Sequence, residues 1–256
     1  MTTNEMKRKL KDGKPAIGVW IALGDPIIVE HLAAQGWDWL CVDTEHNPID
    51  LATMTSMFQA IGRYPCAPMA RIPEVSELGI KRILDAGAWG IVAPNVKTRE
   101  EAELVAAYAQ YPPQGRRSIG SGRHALSFHT DMETYLQRAN DEILRVVQIE
   151  HVDALPNLDA IFSVPGIDAC FIGPNDLCAS MGLAPSLEPP HREFAEAIGV
   201  ILAAARRHGV APGIHNARPE TASRRIADGW RMVGCGSDIA HVTAGARGAL
   251  EAIRLT

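Results

Sequence analysis

The sequence predicts an α/β protein, and within that class a (β/α)₈ TIM barrel, on three observations. Eight short apolar segments alternate with eight longer amphipathic segments, and this order is typical of a parallel sheet covered by helices. The chain has 256 residues, which is about the length of one closed barrel. No G-x-G-x-x-G follows the first apolar segment, which disfavours the open doubly wound sheet. We therefore expect residues 1–256 to form a single barrel domain.

The predicted strands are nearly continuous apolar runs, without the alternation of apolar and polar residues that half-exposed strands show. Such runs are expected for strands that are buried on both faces of a parallel sheet. In chain order they cover residues 16–21, 37–42, 67–72, 90–93, 145–149, 169–172, 211–214 and 232–235.

The segments between these strands have the apolar periodicity of amphipathic helices. Thr98 begins one of them and Glu101 follows three residues later, which is the pattern of a capping box. Gly209 and Gly229 follow two others, where glycine commonly ends a helix. The predicted helices cover residues 26–35, 51–61, 75–86, 98–109, 153–162, 192–208, 219–227 and 239–255. The one long irregular stretch, residues 111–130, is rich in Pro, Gly and Arg, and such loops are usually functional.

Composition and charge exclude several classes of protein. Hydrophobic residues make up 46% and charged residues 21% of the chain, as in ordinary globular proteins. The net charge is −5 and the basic residues are scattered, so we expect no nucleic-acid or membrane-surface partner. The N-terminal residues are polar and no apolar run approaches the ~20 residues of a membrane span, which predicts a cytoplasmic protein. Its five cysteines form no CxxC pair, which predicts neither a disulfide framework nor a structural zinc site.

Polar side chains collect directly after the predicted strands. The carboxyl ends of the strands in a (β/α)₈ barrel form one rim, and that rim holds the active site. We therefore expect these side chains to converge, although Asp238 is also placed to cap the last helix. The residues concerned are Asp43, Thr44, Glu45, His46, Arg71, Asn95, Gln148, Glu150, Asn175, Asp176, His215, Asn216, Ser237 and Asp238.

Glu150 and Asp176 follow neighbouring strands, so their carboxylates are expected to meet over the barrel mouth. Two carboxylates at short distance repel each other, and one takes up a proton unless a cation lies between them. Oxygen ligands suit a hard cation such as Mg²⁺ or Mn²⁺. A pair of carboxyl groups that act as acid and base, as in glycoside hydrolysis, is equally consistent with the spacing.

Asp43, His46 and Arg71 form a second group at the same rim. A carboxylate beside an imidazole orients the ring and makes it a general base near neutral pH. The planar guanidinium of Arg71 suits a substrate carboxylate or a developing enolate oxygen.

Several runs of the sequence resemble the HpcH/HpaI aldolase family, the metal-dependent class II pyruvate aldolases. The most specific features are an acidic residue and EH after the second strand, Q-x-E in the fifth, and FIGPxDL after the sixth. The runs follow the family's order from about Gly18 to the C-terminus. They are CVDTEHNPID, MARIPE, GIVAPNVKTREEAE, YPPQGRRSIG, VVQIEHVDALPNLDAI, GIDACFIGPNDLCASMG and MVGCGSDI.

The resemblance implies a barrel of the phosphoenolpyruvate/pyruvate type, a homo-oligomer (hexamer or trimer) with the last helix exchanged between neighbours. It implies that Glu150 and Asp176 bind a divalent metal, Mg²⁺ or Mn²⁺, with Co²⁺ or Zn²⁺ as further options. Arg71 corresponds to the arginine that binds the 2-oxo group of the substrate and stabilises the enolate. His46, together with Asp43, corresponds to the acid/base dyad.

The resemblance also implies which residues bind the substrate. Gln148 corresponds to a residue near the metal and the substrate. The turn of Gly173, Pro174 and Asn175 would present backbone N–H groups to the pyruvate carboxylate. His215 stands where some members of the family carry a leucine-type residue near the pyruvate methyl group, so this end of the pocket departs from the family pattern.

The implied reaction is the reversible cleavage of a 4-hydroxy-2-oxo acid to pyruvate and an aldehyde through a metal-bound enolate. No lysine follows a predicted strand, because Lys81 and Lys97 fall in helix or loop positions, and this argues against a Schiff-base aldolase. The aldehyde stays open. Arg123 or His124, within residues 121–129, would bind an acidic aldehyde, whereas a solvated loop fits the same residues.

Other functions of the same barrel remain open. Relatives of the family carry out oxaloacetate decarboxylation and condensation, and a CoA-thioester lyase would use the same Glu and Asp for a metal. The segment GCGSD, residues 234–238, resembles a glycine-rich phosphate site at a helix N-terminus. A barrel that binds a ligand without catalysis is the last alternative, and the set of Arg71, His46, Glu150 and Asp176 argues against it.

Overall fold

Eight parallel strands form a closed barrel in chain order, with β8 hydrogen-bonded back to β1. The computed structural model describes residues 1–120 and 122–254. The closed barrel confirms the predicted fold class, and each predicted strand is found with its ends within two residues. The strands are β1 (Ala16–Ile21), β2 (Trp39–Asp43), β3 (Ala67–Arg71), β4 (Gly90–Ala93), β5 (Leu144–Gln148), β6 (Ala169–Ile172), β7 (Ala211–Asn216) and β8 (Met232–Ser237).

The helices surround this barrel, and all the predicted ones are present. In the described residues they are α1 (Glu5–Lys11), α2 (Pro26–Ala33), α3 (Leu51–Ile61), α4 (Glu77–Ala86), α5 (Arg99–Ala109), α6 (Arg123–Ser127), α7 (Met132–Glu142), α8 (Leu158–Phe162), α9 (Pro174–Ser180), α10 (Arg192–His208), α11 (Pro219–Asp228) and α12 (Asp238–Arg254). A 3₁₀ helix (Val152–Asn157) precedes α8. The sequence did not predict α1, α6, α7 or α9, and α6 lies inside the stretch expected to be irregular. Ser121 and Leu255, which belong to predicted segments, lie outside the described residues.

The predicted helix boundaries have the expected chemistry. Thr98 and Glu101 form the capping box at the start of α5, in which each side chain accepts a hydrogen bond from the other residue's backbone N–H. Gly209 and Gly229 end α10 and α11 with φ of 68° and 102°, in the left-handed region that a residue without Cβ adopts at no steric cost.

Aromatic rings fill the barrel interior beneath the carboxyl ends of the strands. Trp39 is fully buried, and its ring centroid lies 6.4 Å from that of Trp20 and 6.1 Å from that of Phe171. A Cβ on Gly18 would overlap the Trp39 indole, so glycine is needed where β1 passes this ring. These rings form the floor of any cavity that opens at the carboxyl rim.

Asp238 does more than the helix capping that the sequence suggested. It is buried, and its carboxylate accepts hydrogen bonds at 2.9 Å from the N–H groups of Ala22 and Leu23, which follow β1. At the start of α12, Asp238 Oδ1 also accepts a hydrogen bond from the Ile239 N–H at 2.8 Å, and Ser237 Oγ accepts one from the Ala240 N–H at 3.2 Å. Asp238 therefore ties the end of β8 to the end of β1 where the barrel closes.

The helix α12 packs against the barrel only at its beginning. Asp238 is its buried residue, and residues 239–254 are exposed, among them the apolar Ile239, Val242 and Leu250. Exposed apolar side chains grouped on one element are typical of a contact surface. None of the described helices combines the length and apolar character that crossing a membrane would need.

Candidate active site

A cavity of about 230 Å³ lies at the carboxyl ends of the strands, where the sequence predicts the site. Glu150, which follows β5, lies directly behind its wall and accepts a hydrogen bond from Gln148 Nε2 at 2.5 Å. The structure therefore brings together side chains from β2, β3, β5, β6 and β7. The predicted residues that line the cavity are Asp43, His46, Arg71, Gln148, Gly173, Pro174, Asn175, Asp176 and His215.

Arg71 is held rigidly at this cavity by two carboxylates. Its Nε donates to Asp43 Oδ1 at 2.9 Å and its Nη2 to Asp43 Oδ2 at 2.8 Å. Glu45 Oε2 lies 3.2 Å from the same Nε. The guanidinium also lies over the indole of Trp20, 4.8 Å from the ring centroid. Since these contacts use the Nε N–H and one Nη2 N–H, the guanidinium keeps N–H donors on Nη1 and Nη2 that these two carboxylates do not take.

The pair of Asp43 and Arg71 stays ionised. Burial alone would raise the pKa of Asp43, but the hydrogen bonds and charge of Arg71, and the N–H groups of Glu45 and His46, bring it below its usual value. Burial likewise works against the Arg71 cation, and the hydrogen bonds and charge of Asp43 raise its pKa in spite of it. A bidentate pair of this kind fixes the plane of the guanidinium.

The expected contact between Asp43 and the His46 ring is not formed. In the part of the chain that the structure describes, the ring's ion-pair partner is Glu45, with 3.6 Å between Nε2 and Oε2. Asp43 is instead held by Arg71 and by Asn47 Nδ2 at 2.7 Å. Asp43 and Arg71 stand side by side in the register of β2 and β3, and this pairing takes the carboxylate away from the histidine. The His46 side chain is 62% exposed.

Glu150 is a buried carboxyl group next to Asn95, Gln148 and Asp176. We call these four residues the polar corner of the site. Its Oε1 accepts a hydrogen bond from the Asn95 N–H at 2.9 Å. Asn95 has a φ of 52°, in the left-handed region that asparagine tolerates better than most residues. Burial first, and then the charge of Asp176, raises the pKa of Glu150 to about 7. The corner therefore holds either a proton or a cation near neutral pH.

This corner fits a divalent cation that has few protein ligands. No group of three or more His, Cys, Asp or Glu side chains in the described ranges is arranged to hold a metal, so Glu150 and Asp176 would be the protein ligands and water or substrate would complete the shell. Gln148 Oε1 is enclosed and has no hydrogen-bond partner among the same residues. A few oxygen ligands with room for water suit Mg²⁺ or Mn²⁺.

Gly173 allows this corner to close. A Cβ at this position would overlap Glu150 Oε2 and would lie 2.8 Å from Gln148 Nε2. The glycine therefore lets the turn between β6 and α9 pass close to Glu150. Asn175 and Asp176 follow in the first turn of α9, which has no side-chain cap.

His215 forms the inner wall of the cavity on the side of β7. Burial first, and then the charge of Arg71, lowers the pKa of His215 to about 4. Its Nδ1 is fully enclosed and has no hydrogen-bond partner within residues 1–120 and 122–254. Asn216, by contrast, is satisfied by the carbonyl oxygens of Ile214 and Gly234 and does not line the cavity.

The loop residues proposed for the aldehyde lie elsewhere. His124 is 1% exposed, and its Nδ1 lies 3.5 Å from Asp85 Oδ1, which also accepts a hydrogen bond from Arg117. Neither Arg123 nor His124 lines the cavity. The chain's own cavity therefore has no cation from this loop.

Sequence reasoning missed Trp20 as a site residue. It lies inside β1 rather than after it, so a search of the residues that follow each strand passes over it. Its ring lies beside those of Phe171 and His215, with centroids 5.5 and 6.3 Å away. The signal was available as an aromatic residue one position before the end of a barrel strand, where alternate side chains point inward.

A larger cavity, of about 570 Å³, opens at the other end of the barrel. Three of its charged side chains pair with one another, since Asp168 lies 3.0 Å from Lys7 and 3.1 Å from Arg145. In this fold the active site is expected at the carboxyl ends of the strands, whereas the opposite end of the barrel serves stability. We therefore place the active site in the smaller cavity.

Comparison with known proteins gives consistent results. A family model described as HpcH/HpaI aldolase/citrate lyase matches residues 16–244. The 4-hydroxy-2-oxo-heptane-1,7-dioate aldolase of Shigella sonnei (strain Ss046) is 39% identical over 235 residues, which cover 92% of this chain and 89% of the relative.

Solved structures that superpose on this chain include members of the same family. An HpcH/HpaI aldolase/citrate lyase family protein from Burkholderia cenocepacia J2315 superposes with a TM-score of 0.91 at 32% identity, and the match covers 98% of this chain and 100% of that one. Citrate Synthase SbnG superposes with a TM-score of 0.87 at 26% identity, and the match covers 97% of each chain.

Proposed function

We propose a metal-dependent aldol reaction for this chain on the premise that it belongs to the HpcH/HpaI aldolase/citrate lyase family, as its motifs suggested. The chain is a carbon–carbon lyase, a class II aldolase. Its substrate is a 4-hydroxy-2-oxo acid, which it cleaves reversibly into a 2-oxo acid, pyruvate in the simplest case, and an aldehyde. The observation that carries the proposal is Arg71, fixed at one cavity that Asp176 also lines, with Glu150 directly behind the wall at Gln148.

Glu150 and Asp176 would hold the divalent cation, and Mg²⁺ or Mn²⁺ suits these oxygen ligands. The raised pKa of Glu150 supports this assignment, because a cation at the corner replaces the proton that the buried carboxyl group otherwise retains. When bound, the cation supplies Lewis-acid polarisation of the 2-oxo group. Gln148 Nε2 orients the Glu150 carboxylate through its hydrogen bond.

Arg71 stabilises the negative charge that develops on the 2-oxo oxygen when the bond between C3 and C4 breaks. The donors that remain are the N–H bonds of Nη1 and Nη2 that Asp43 and Glu45 do not take. Because those carboxylates already fix the guanidinium plane, little reorganisation is needed at the moment of reaction. The substrate carboxylate lies at the turn of Gly173, Pro174 and Asn175, which line the cavity at the start of α9, where no side chain caps the helix.

His46 exchanges a proton with the oxygen on C4. It stands at the wall of the cavity and is largely exposed, as expected for a group beside the half of the substrate that departs as aldehyde. In cleavage it accepts the proton of the 4-hydroxyl, and in synthesis it returns that proton. Glu45, 3.6 Å away, orients the ring, and Asp43 acts through Arg71 instead.

The test is the release of pyruvate from a 4-hydroxy-2-oxo acid, followed with lactate dehydrogenase. We expect release with Mn²⁺ and none after chelation. Arg71→Ala should still bind Mn²⁺ but lose activity by about 100-fold or more, because one preorganised donor at developing charge is worth this much. The control is Arg99→Ala, on the exposed face of α5, which should keep the full rate. Full activity in Arg71→Ala would show that its assigned role is wrong.

Decarboxylation of oxaloacetate to an enolate, followed by condensation, is a second candidate, because Arg71, fixed by Asp43, would stabilise the same enolate when it forms by loss of CO₂. In that case oxaloacetate with Mn²⁺ should lose CO₂ faster than an aldol donor reacts with any aldehyde. The ratio of these two rates decides between the candidates.

We also propose that copies of the chain associate through α12. The exposed apolar residues of this helix and its contact with the barrel at one end only support this proposal. A neighbouring barrel would bury the side chains that the chain alone leaves in water.

A further inference from the structure

His215 is a polar group in the active-site cavity for which the reaction described above has no use. It lies near the end of β7 and lines the cavity beside Trp20 and Phe171. A Cβ on Gly234 would come within 2.9 Å of Nδ1, so the ring rests against bare backbone. Its position is therefore set by the barrel wall and not by a flexible loop.

The ring presents a neutral hydrogen-bond donor to the cavity. With a pKa of about 4, it is uncharged at neutral pH and carries one N–H. Nδ1 is enclosed and meets no hydrogen-bond partner in the described part of the chain, and a proton there would be a buried donor without an acceptor. The proton is therefore assigned to Nε2, which is the nitrogen left to face the cavity.

Depth in the cavity indicates which half of the substrate His215 contacts. The aldehyde has to leave through the mouth, where His46 stands largely exposed. The 2-oxo acid therefore occupies the inner part, next to Arg71 and His215. In the proposed function the β6–α9 turn binds its carboxylate and Arg71 its 2-oxo oxygen, so carbon 3 is the position left for His215.

We infer that the preferred nucleophile is a 2-oxo acid with a hydroxyl group on C3, whose oxygen accepts the hydrogen bond from His215 Nε2. This inference rests on the proposed function and names its substrate class. A neutral donor suits a hydroxyl group, whereas a second carboxylate on C3 would need a cation to offset its burial. Arg71, the nearby cation, is already paired with Asp43 and Glu45.

The reaction balances without an oxidant or reductant. In synthesis, C3 of the 3-hydroxy-2-oxo acid gives one proton to a base in the site. The electron pair left on C3 forms the bond to the aldehyde carbon, and the aldehyde oxygen takes up one proton. The product is a 3,4-dihydroxy-2-oxo acid that contains all the atoms of both reactants.

The experiment compares hydroxypyruvate with pyruvate as donors to one aldehyde in the presence of Mn²⁺. We expect the wild type to favour hydroxypyruvate in kcat/KM. His215→Leu should lower the ratio of the two kcat/KM values about tenfold, since one hydrogen bond to a buried group is worth about that factor. His215→Gln, which restores an N–H near the position of Nε2, should recover most of the ratio. His31→Leu, the same exchange on the exposed face of α2, is the control and should keep the wild-type ratio.

Binding without aldehyde gives a second readout. Calorimetric Kd values for the two donors should show the same preference and the same loss in His215→Leu. A ratio that is unchanged in His215→Leu, or a wild type that favours pyruvate in both readouts, overturns this inference alone. Failure of the wild type to use either donor overturns the proposed function with it. If His215→Leu does not fold, the wild-type ratios and His215→Gln decide.

Discussion

At the scale of single residues, Glu150 shows how burial changes the protonation of a carboxyl group. Water stabilises an ionised carboxylate, and the barrel wall removes that water. The hydrogen bonds from Asn95 and Gln148 offset only part of this loss, since the pKa of Glu150 is raised to about 7. A cation that binds here must therefore displace a proton below neutral pH.

We predict that Mn²⁺ binding is about tenfold weaker at pH 6 than at pH 8, because one proton leaves Glu150 for each ion bound. Glu150→Gln and Asp176→Asn should each abolish binding measurable by calorimetry. Asp153→Asn, which changes an exposed carboxylate with 70% of its side chain in water, should bind like the wild type. Equal affinity at the two pH values would contradict the prediction.

The same group sets the pH dependence of stability in the metal-free protein. The pKa of Glu150 is about 4.3 in the unfolded chain and about 7 in the folded protein. Its protonated form therefore stabilises the fold fully below about pH 4.3, and this contribution is lost as the pH rises through about 7. The low pKa of Asp43 acts in the opposite direction, and its contribution is lost as pH falls. Comparing the wild type with Glu150→Gln isolates the Glu150 contribution.

The sequence located the site residues better than it paired them. The rule that strand ends share one rim depends only on strand order, and it correctly gathered Arg71, Asp176 and His215 at one cavity. Asp43 and His46 are neighbours along the chain, but the register of β2 and β3 gives Asp43 to Arg71. Register is a property of the assembled sheet, so a local pattern did not reveal it.

At the scale of elements, the turn between β6 and α9 is the most tightly constrained part of the site. We predict that Gly173→Ala lowers Mn²⁺ affinity at least tenfold and destabilises the protein by about 1–3 kcal/mol, as overpacking typically does. The reason is that its Cβ would displace the Glu150 carboxylate and the Gln148 amide. Calorimetry and thermal unfolding measure the two effects.

Gly199→Ala is the matched control for this substitution. Gly199 lies in the middle of α10 and has no atom within 4 Å of a Cβ at that position. Alanine there should raise stability by about 0.5–1 kcal/mol and leave metal affinity unchanged. If Gly173→Ala behaved like Gly199→Ala, the close approach of the turn to Glu150 would have no functional importance.

The helices that the sequence did not predict are either too short or too polar to show an apolar period. α6 and α9 have five and seven residues, which is too short for an apolar period to repeat. α7 is strongly polar, and its buried face consists of Tyr135, Ala139 and Glu142, so tertiary packing rather than an apolar stripe holds it. The strands were found because each is buried on both faces and therefore reads as one apolar run.

At the scale of the whole molecule, the parallel sheet closes as its β/α order predicts, and the closing pair of β8 and β1 is joined by Asp238. The last helix is the part that this barrel leaves uncovered. Its exposed apolar residues Ile239, Val242 and Leu250 are the reason for the proposal that a second copy of the chain covers this helix.

We predict that Val242→Glu combined with Leu250→Glu lowers the mass measured by sedimentation, because two charges on the exposed face of α12 would oppose association. Val200→Glu is the control, since Val200 on α10 and Val242 are both 53% exposed. Loss of assembly in the control as well, or unchanged assembly in the α12 variant, would refute a contact through this helix.

The central claim is that Glu150, Asp176 and Arg71 form a site that stabilises the enolate of a 2-oxo acid. The most direct measurement is exchange of the methyl protons of pyruvate in deuterated buffer, followed by NMR, because it needs no knowledge of the aldehyde. We expect exchange with Mn²⁺, none with chelator, and none in Glu150→Gln or Arg71→Ala. Wild-type protein that shows no exchange in the presence of Mn²⁺, or exchange that persists after chelation, would contradict it.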